Sequence, residues 1–304
     1  MFRVLLLLFP IILFAKCLSV SINSNVSNCS ENMEFVDNSI SLGQILVGDE
    51  KEKSFSLYLK SDSNKTIKMK ILNIKTLKNS SDELTPNLSF ISNIDNSKID
   101  ILSNQPFTIL QSGNTQYRDG VTKIGEIKIK IPNIDDIQTE GSYSENYRVS
   151  VYIEGETTSQ SDNLNISLSV PKVSYVGFSS TSSYKSESAF SGGSVNFGLV
   201  QGNEFKTKDI YAKHNSRLNL KMLFENTPNL IHNEDSSNFL SMRYYYKIDG
   251  DGYQNIVANT PFTIINSKNS GTMPIGEMKF EIVDTKGKIA GQYSATISVS
   301  IIVE

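Results

Sequence analysis

The sequence predicts an all-β protein, and three observations support this. Apolar and polar residues alternate with a period of two, for example at Phe55, Leu57 and Leu59, and this period is typical of a strand with one buried face. Clusters of Asn, Ser, Gly and Asp at residues 79–82 and 249–252 indicate turns. No stretch beyond the amino terminus has helical spacing. Many short, mostly antiparallel strands favour β-sandwiches of the immunoglobulin-like type.

The amino terminus predicts a cleaved signal peptide over residues 1–15. Arg3 supplies a positive charge, and residues 4–14 are apolar except for Pro10. This run is shorter than the ~20 residues that a membrane helix needs, but it suits the core of a signal peptide. Cleavage after Ala15 is the first choice, and cleavage after Cys17 is the alternative. We find no later segment long and apolar enough to span a bilayer, so we expect an exported protein.

The position of the cleavage site decides the chemistry of the two cysteines. If cleavage follows Ala15, Cys17 and Cys29 both remain in an oxidising compartment and can form a disulfide. Such a bridge would stabilise the fold by roughly 2–3 kcal/mol in the chain-entropy model. In the alternative, Cys17 leaves with the signal peptide and Cys29 is a lone thiol.

The strands are predicted from the alternating runs in chain order. In the first half these runs cover residues 55–60, 67–71, 124–131, 149–153 and 164–170. In the second half they cover residues 218–221 and 297–303. Each run has the length of an ordinary strand, which is usually 3–10 residues.

An internal repeat indicates two copies of one domain. Residues 105–109 recur as 260–264, residues 124–128 as 275–279, and residues 141–144 as 291–294. The matches follow the same order along the chain, which chance does not explain. We therefore expect an amino-terminal sandwich over residues 16–160, a linker or shared strand over residues 161–190, and a carboxyl-terminal sandwich over residues 191–304.

The repeated residues are interpreted as structural. Phe107 and Phe262 are expected to fill the space between the sheets, where each aromatic side chain contributes roughly 1.5–3 kcal/mol. Tyr143 and Tyr293 are expected to bond a nearby backbone group through the hydroxyl, in the manner of a tyrosine corner. The repeated glycines suggest bulges or turns, and they are Gly125, Gly276, Gly141 and Gly291.

Composition excludes several functions. The net charge is −3 and the chain holds 2 His and 2 Cys, so neither a nucleic-acid surface nor a His/Cys metal cluster is expected. His214 and His232 lie in segments that we interpret as polar turns, and residues 249–252 resemble only a fragment of a calcium loop. We predict no catalytic residue, no metal and no cofactor, and therefore no enzyme. An enzyme such as a glycoside hydrolase built on a β-sandwich is a further hypothesis. We can identify no pair of carboxylates that would serve as its catalytic residues.

Residues 290–301 carry a resemblance to a known family. The segment Gly-x-Tyr-Ser-x-x-Ile-x-Val-x-Ile resembles the last strand of secreted bacterial pilus subunits and of spore-coat-protein-U domains. Residues 196–198 and 244–248 are similar to other parts of those domains. The resemblance implies a fimbrial subunit or two-domain tip adhesin that a periplasmic chaperone and an outer-membrane usher assemble with neighbouring pilus subunits. It also implies transit through the periplasm to the cell surface and a possible host receptor.

Residues 164–170 leave three arrangements open. If this run closes the first copy, the second copy has nothing after its equivalent strand at residues 299–303 and exposes a sheet edge for strand addition. If it opens the second copy, as residues 18–22 would open the first, both domains are complete. In the third arrangement, residues 18–22 are themselves a donor strand for a neighbouring subunit.

The sequence thus favours a non-enzymatic surface protein of a bacterial fibre. In this hypothesis the loops of the first domain bind a receptor, because rigid scaffolds commonly display binding loops, and the second domain joins the fibre by strand addition. The alternative is a self-contained periplasmic or cell-surface structural module with two complete sandwiches and no strand exchange.

Overall fold

The computed structural model of the chain describes residues 17–304 except positions 23, 25–34, 37–38, 47, 81, 115, 117–119, 133, 135–137, 157–158, 179–188, 267 and 271–272. The described residues form β-strands and contain no α-helix. Their sheets pack into two sandwiches, each with its own hydrophobic core. The predicted fold class is therefore confirmed. The proposed signal peptide, residues 1–15, lies outside the described residues.

The first sandwich consists of a six-stranded and a seven-stranded sheet. The six-stranded sheet has the order β2-β1-β4-β11-β8-β9. The seven-stranded sheet has the order β10-β5-β12-β13-β3, with β6 paired to β12 and β7 paired to β6. The strands are β1 (Leu18–Ser21), β2 (Phe35–Val36), β3 (Ser39–Gln44), β4 (Lys51–Ser61), β5 (Ile67–Leu72), β6 (Leu77–Asn79), β7 (Asp82–Leu84), β8 (Asn87–Ser92), β9 (Lys98–Asp100), β10 (Phe107–Leu110), β11 (Thr122–Ile131), β12 (Gly141–Ile153) and β13 (Ser159–Val170).

The second sandwich consists of a nine-stranded and a three-stranded sheet. The larger sheet has the order β15-β14-β16-β23-β19-β18-β24, with β20 paired to β19 and β22 to β16, and the smaller sheet has the order β21-β17-β25. The strands are β14 (Ser174–Gly177), β15 (Ala189–Ser191), β16 (Glu204–His214), β17 (Leu220–Phe224), β18 (Leu230–His232), β19 (Phe239–Ile248), β20 (Gln254–Asn255), β21 (Phe262–Ile265), β22 (Asn269–Ser270), β23 (Gly276–Asp284), β24 (Tyr293–Ser294) and β25 (Val299–Val303).

The period-two pattern produces these sheets because successive side chains of a strand point to opposite faces. In β5, Ile67, Met69 and Ile71 are fully buried in the core. Lys68 and Lys70 stand between them and are only partly buried. The same division recurs in β23, where Met278, Phe280 and Ile282 are buried and the charged residues between them, Lys279 and Glu281, are only partly buried.

The two sandwiches share strand pairings at corresponding residues. Phe107 of β10 pairs with Met69 of β5, and Phe262 of β21 pairs with Met222 of β17. The long antiparallel pair of β4 and β11 in the first sandwich likewise corresponds to the pair of β16 and β23 in the second. The sequence matches at residues 105–109 and 260–264 thus fall on strands that occupy the same place in their sheets.

The segment 161–190, which we expected to be a linker or shared strand, contributes to both sandwiches. β13 pairs along its full length with β12 and runs parallel to β3, so it belongs to the first sandwich. β14 pairs with β16 and belongs to the second. The strand that opens the second sandwich is therefore β14, which stands where β1 stands in the first.

Polar side chains connect the two sandwiches. The side chain of Asn215, which is fully buried, accepts a hydrogen bond from the Val173 amide at 2.7 Å and donates one to the Pro171 carbonyl at 2.9 Å. Lys268 of the second sandwich contacts both carboxylate oxygens of Asp82 in the first at 2.8 and 2.7 Å. The contacts of Asn215 satisfy a buried polar group that would otherwise destabilise the junction.

Candidate functional site

The most unusual feature of the structure is one edge of β25. β25 pairs antiparallel with β17 through all five of its residues. Among the described residues, no strand pairs with its other edge. In the first sandwich the corresponding strand, β12, pairs with β5 on one side and with β13 on the other. The edge of β25 therefore presents unpaired backbone groups of the kind that accept a further strand.

Side chains along this edge are less buried than their counterparts. Val149 and Val151 of β12 are 2% and 0% exposed. Every residue of β25, including Val299 and Ile301, is only partly buried. β13 explains the difference. It lies beside β12 and covers the side chains of β12, whereas no described strand covers those of β25 on this side.

The opposite wall of the same space is also incomplete. Residues 192–198 form no strand, and Val195 and Phe197 are only partly buried. In the first sandwich the matching segment is β3, which pairs with β13 and whose Ile40 and Leu42 are 0% and 2% exposed. The second sandwich thus contains both walls of the space that β13 fills in the first.

A groove of about 1030 Å³ extends between these walls. Its floor is apolar and contains Phe178, Phe224, Tyr244 and Phe280. The rings of Phe178 and Tyr244 both meet Phe280 edge to face, with centroids 6.5 and 6.0 Å apart. The Tyr244 hydroxyl donates to the Pro228 carbonyl, and burial raises the pKa of Tyr244 to about 12. These four floor residues include no acidic or basic side chain, so the floor suits apolar side chains.

His232 lies next to the groove, because it contacts Ala290 and Tyr293, which line the groove. Its Nδ1 accepts hydrogen bonds from the amides of Glu234 and Asp235 at 3.2 and 3.1 Å, so Nε2 carries the proton and faces the Ala290 carbonyl at 3.3 Å. A Cβ on Gly291 would lie 1.9 Å from this Nε2. Glycine is thus required here because the imidazole occupies the space of a side chain.

The two histidines are buried, contrary to our interpretation as residues of polar turns. His232 lies in β18 and is 5% exposed, and His214 ends β16 and is 0% exposed. Nδ1 of His214 contacts the Ser174 hydroxyl and Nε2 the Leu218 carbonyl, both at 2.9 Å. Burial lowers the pKa of His214. Tertiary packing determines the burial of both histidines, and their polar neighbours in sequence gave no sign of this burial.

The repeated aromatic residues lie as follows. Phe107 and Phe262 are 6% and 7% exposed and belong to the two cores. The Tyr143 hydroxyl donates to the Thr139 carbonyl at 2.7 Å, and the Tyr293 hydroxyl donates to the Ile289 carbonyl at 2.8 Å. Each tyrosine therefore bonds the backbone four residues upstream. Tyr143 is 0% exposed, whereas Tyr293 is only partly buried beside the groove.

The repeated glycines permit close approaches of backbone. A Cβ on Gly125 would lie 2.5 Å from the Ile91 carbonyl oxygen, and one on Gly276 would lie 2.2 Å from the Lys247 carbonyl oxygen. The pairing of β11 with β4 shifts register just before Gly125. Gly141 has a φ of +121°, which disfavours any side chain.

Other predicted features are less informative. Cys17 precedes β1, but Cys29 lies outside the described residues, and the disulfide remains a prediction. The described part of the chain contains no group of three or more His, Cys, Asp or Glu residues that could hold a metal ion. No helix within it is long and apolar enough to cross a membrane.

Comparison with known proteins gives structural neighbours only. No protein-family model and no curated protein matches the chain. A solved structure of the CooA pilin subunit from enterotoxigenic Escherichia coli is 12% identical, with a TM-score of 0.36 over 51% of this chain and 98% of that chain. A chaperone–tip adhesin complex of CFA/I fimbriae is 13% identical, with a TM-score of 0.37 over 96% and 85%.

The adhesive subunit of CFA/I fimbria, CfaE from enterotoxigenic Escherichia coli, is also similar. It is 11% identical, with a TM-score of 0.33 over 94% of this chain and 81% of that chain. The similar solved structures thus include pilins and fimbrial adhesins. Scores and identities this low carry no argument about what the chain does.

Proposed function

We propose that this protein is a non-enzymatic, exported subunit of a bacterial surface fibre, of the pilus-subunit or tip-adhesin type, and that a strand from another chain completes its second sandwich. The observation that carries the proposal is the unpaired edge of β25 beside an apolar groove. An exposed sheet edge with an apolar floor is an aggregation hazard unless a partner covers it. Strand addition supplies main-chain hydrogen bonds and fills pockets with alternate side chains.

The first sandwich provides a template for the missing strand. In β13, Leu164, Ile166 and Leu168 are 0%, 0% and 3% exposed, and polar residues separate them. β13 runs antiparallel to β12 and parallel to β3. The donor is therefore a strand with an apolar residue at every second position that lies antiparallel to β25.

The proposal includes three partners. The donor strand belongs to a neighbouring pilus subunit in the assembled fibre. During transit a periplasmic chaperone covers the same groove, because an uncovered apolar groove would otherwise aggregate. An outer-membrane usher then exchanges the chaperone for the next subunit.

The first sandwich is proposed to contact the receptor. β13 already closes its sheet, so its faces and loops do not need a structural partner. It also presents a cavity of about 550 Å³, whose lining combines charged residues such as Lys98 and Lys128 with apolar ones such as Leu88. Binding commonly resides in such surface features on a rigid scaffold.

Export and the disulfide are parts of the same proposal. Removal of residues 1–15 would leave both Cys17 and Cys29 in an oxidising compartment. Amino-terminal sequencing of the mature protein identifies the cleavage site, and intact mass before and after reduction identifies the bridge. Labelling of one thiol without prior reduction would contradict the disulfide.

The proposal is tested by filling the groove with the chain's own strand. A second copy of residues 154–170, which include the β12–β13 connection and β13, is placed directly after Val303. Its first residue, a copy of Glu154, takes the place of Glu304. Each newly buried apolar side chain contributes about 1.5–3 kcal/mol, and 1 kcal/mol raises the melting temperature of such a domain by about 4–8 °C. We therefore expect the unfolding transition of the second sandwich to rise by more than about 10 °C.

The control is the same extension with serine in place of its copies of Ile166 and Leu168. It keeps the length and the backbone donors but loses the apolar side chains, so only a small rise is expected. If neither extension changes the transition, the second sandwich is complete as it stands. The alternative function, a self-contained periplasmic or cell-surface module without strand exchange, is then favoured.

A further inference from the structure

A cluster of aromatic rings surrounds an ammonium group on the outer face of the nine-stranded sheet. The Lys279 Nζ lies 4.8 Å from the ring centroid of Phe205, 5.2 Å from that of Tyr245 and 5.7 Å from that of Tyr253. The neighbours of Lys279 in β23, Met278 and Phe280, point into the core, so this cluster lies on the opposite face. We call this surface the aromatic face and define it as Phe205, Tyr245, Tyr253, Lys279, Glu277 and Glu281.

Two rings of the aromatic face are exposed, and hydrogen bonds hold its two tyrosines in place. Phe205 is 60% exposed and Tyr253 is 43% exposed. The Tyr253 hydroxyl donates to Glu277 at 2.7 Å, and the Tyr245 hydroxyl donates to Glu281 at 3.1 Å. Rings whose rotation is already restricted lose little conformational entropy when a ligand stacks on them.

The fold itself does not require these rings. Lys279 pairs across the sheet with Thr207 and Tyr245. In the first sandwich Lys128 stands in the same place and pairs with Ser54 and Ser89. Serine thus replaces Tyr245 there.

The position of Phe205 shows the same contrast. Phe205 of β16 pairs with Glu281 of β23. In the first sandwich Glu52 of β4 occupies the position of Phe205, and it pairs with Lys130 of β11. The first sandwich therefore carries polar or charged residues where the second exposes aromatic rings.

Charge on this face limits the class of ligand. This side of the sheet carries three positive and three negative side chains, so the formal charges cancel. They are Arg243, Lys247 and Lys279, and Asp209, Glu277 and Glu281. Lys279 contacts Glu281 at 3.0 Å, and Lys247 contacts Glu277 at 3.5 Å. Nucleic acids and anionic lipids need an excess of positive charge, which is absent here.

A protein partner also fits this face poorly. The centres of protein–protein interfaces are rich in aromatic residues but depleted of charged ones, whereas the charged Lys279 lies between all three rings of the aromatic face. A neutral sugar suits the combination better. Its C–H face stacks on the electron-rich face of an aromatic ring, and its hydroxyls both donate to carboxylates and accept from ammonium groups.

We propose that the aromatic face is a binding site for a neutral oligosaccharide, distinct from the groove and from the receptor contacts of the first sandwich. Phe205 and Tyr253 stack on pyranose rings. Glu277, Glu281 and Lys279 bond the hydroxyls at the edges of those rings.

The test uses titration calorimetry of the full chain with three uncharged tetrasaccharides of different linkage, cellotetraose, maltotetraose and lacto-N-tetraose. We expect at least one of them to bind with a Kd in the millimolar range or lower. Phe205→Glu and Tyr245→Ser introduce the residues of the first sandwich, and each is expected to weaken binding at least tenfold. Tyr253→Ser is a further variant, in a residue that belongs to no strand.

The control is Phe239→Ser, which removes a ring that is 40% exposed and lies 4.5 Å from the Lys288 ammonium outside the aromatic face. Its Kd should equal that of the parent. The proposal is overturned if no tetrasaccharide binds at 10 mM, or if all three variants of the face bind like the parent. It is also overturned if the chain sediments as a dimer that Phe205→Glu dissociates, because a second copy then covers the face.

Discussion

Val151 and Ile301 occupy the same position in the two sandwiches, but only Val151 has a strand on both sides. Val151 pairs with Met69 of β5 and with Gln160 of β13, whereas Ile301 pairs with Met222 of β17. Val151 is fully buried and Ile301 is only partly buried. Within the described residues, this missing neighbour distinguishes β25 from β12.

The first prediction concerns the stability that each of these side chains contributes. Val151→Ala is expected to lower the free energy of unfolding by about 2 kcal/mol, because it removes buried methyl groups and leaves a cavity. Ile301→Ala is expected to lower it by about 1 kcal/mol or less, because its side chain is already partly in water. Urea unfolding of both variants measures the difference.

The same pair of residues connects stability with strand addition. In the chain that carries the appended copy of residues 154–170, Ile301 becomes covered, and Ile301→Ala should then lower stability about as much as Val151→Ala does. Equal effects of Ile301→Ala with and without the appended strand would show that the strand does not enter the groove.

The second prediction concerns the core of the second sandwich. Phe262 stacks on Tyr246, with ring centroids 3.9 Å apart, and lies 6.3 Å from Phe224. Phe262→Ala is expected to lower the free energy of unfolding by about 3–5 kcal/mol. The control Phe239→Ala removes an exposed ring and is expected to change stability by less than about 0.5 kcal/mol. Similar effects of both substitutions in urea unfolding would mean that Phe262 is not a core residue.

The sequence predicted the local strands well because the period of two is a local signal. The runs at residues 67–71 and 124–131 lie within β5 and β11. Which strands pair is not a local property, so residues 164–170 allowed three arrangements. In the structure β13 pairs with β12, and β1 pairs with β4 of its own chain. Strand addition to the second sandwich stays a proposal.

The sequence did not predict the aromatic face or the apolar groove, because each is formed by residues that are distant in sequence. Phe205, Tyr245 and Tyr253 belong to separate segments, and only the register of β16, β23 and β19 brings them around Lys279. The apolar groove likewise combines Phe178, Phe224 and Phe280 from three strands or their ends. Single-sequence periodicity contains no information on such combinations.

The third prediction concerns Gly276. Alanine at this position would place a Cβ 2.2 Å from the Lys247 carbonyl oxygen, and backbone atoms cannot move as easily as a flexible side chain. Gly276→Ala is therefore expected to lower the free energy of unfolding by about 1–3 kcal/mol, as other overpacked substitutions do. The control is Gly252→Ala, because no atom lies within 4 Å of that added Cβ. Equal thermal unfolding of the two variants would contradict the close approach.

The fourth prediction concerns the ion pair between the two sandwiches. Burial alone would raise the pKa of Asp82, but hydrogen bonds from Lys268 and Thr139 outweigh burial and lower the pKa below its usual range. A carboxylate whose pKa is lower in the folded state stabilises the fold above its unfolded pKa of about 3.9. This contribution is lost as the pH falls from there through the lower folded pKa. At neutral pH, Asp82→Asn should lower the free energy of unfolding by about 1–3 kcal/mol.

Urea unfolding between pH 7 and pH 2.5 tests the sign as well as the size of this effect. The parent is expected to lose more stability than Asp82→Asn over this range, since the other carboxylates titrate alike in both proteins and cancel in the difference. Asp100→Asn is the matched control, because Asp100 is 76% exposed beside Lys98 and surface pairs contribute little. Its curve should run parallel to that of the parent. A parallel curve for Asp82→Asn as well would mean that the Lys268 contact does not stabilise the junction of the two sandwiches.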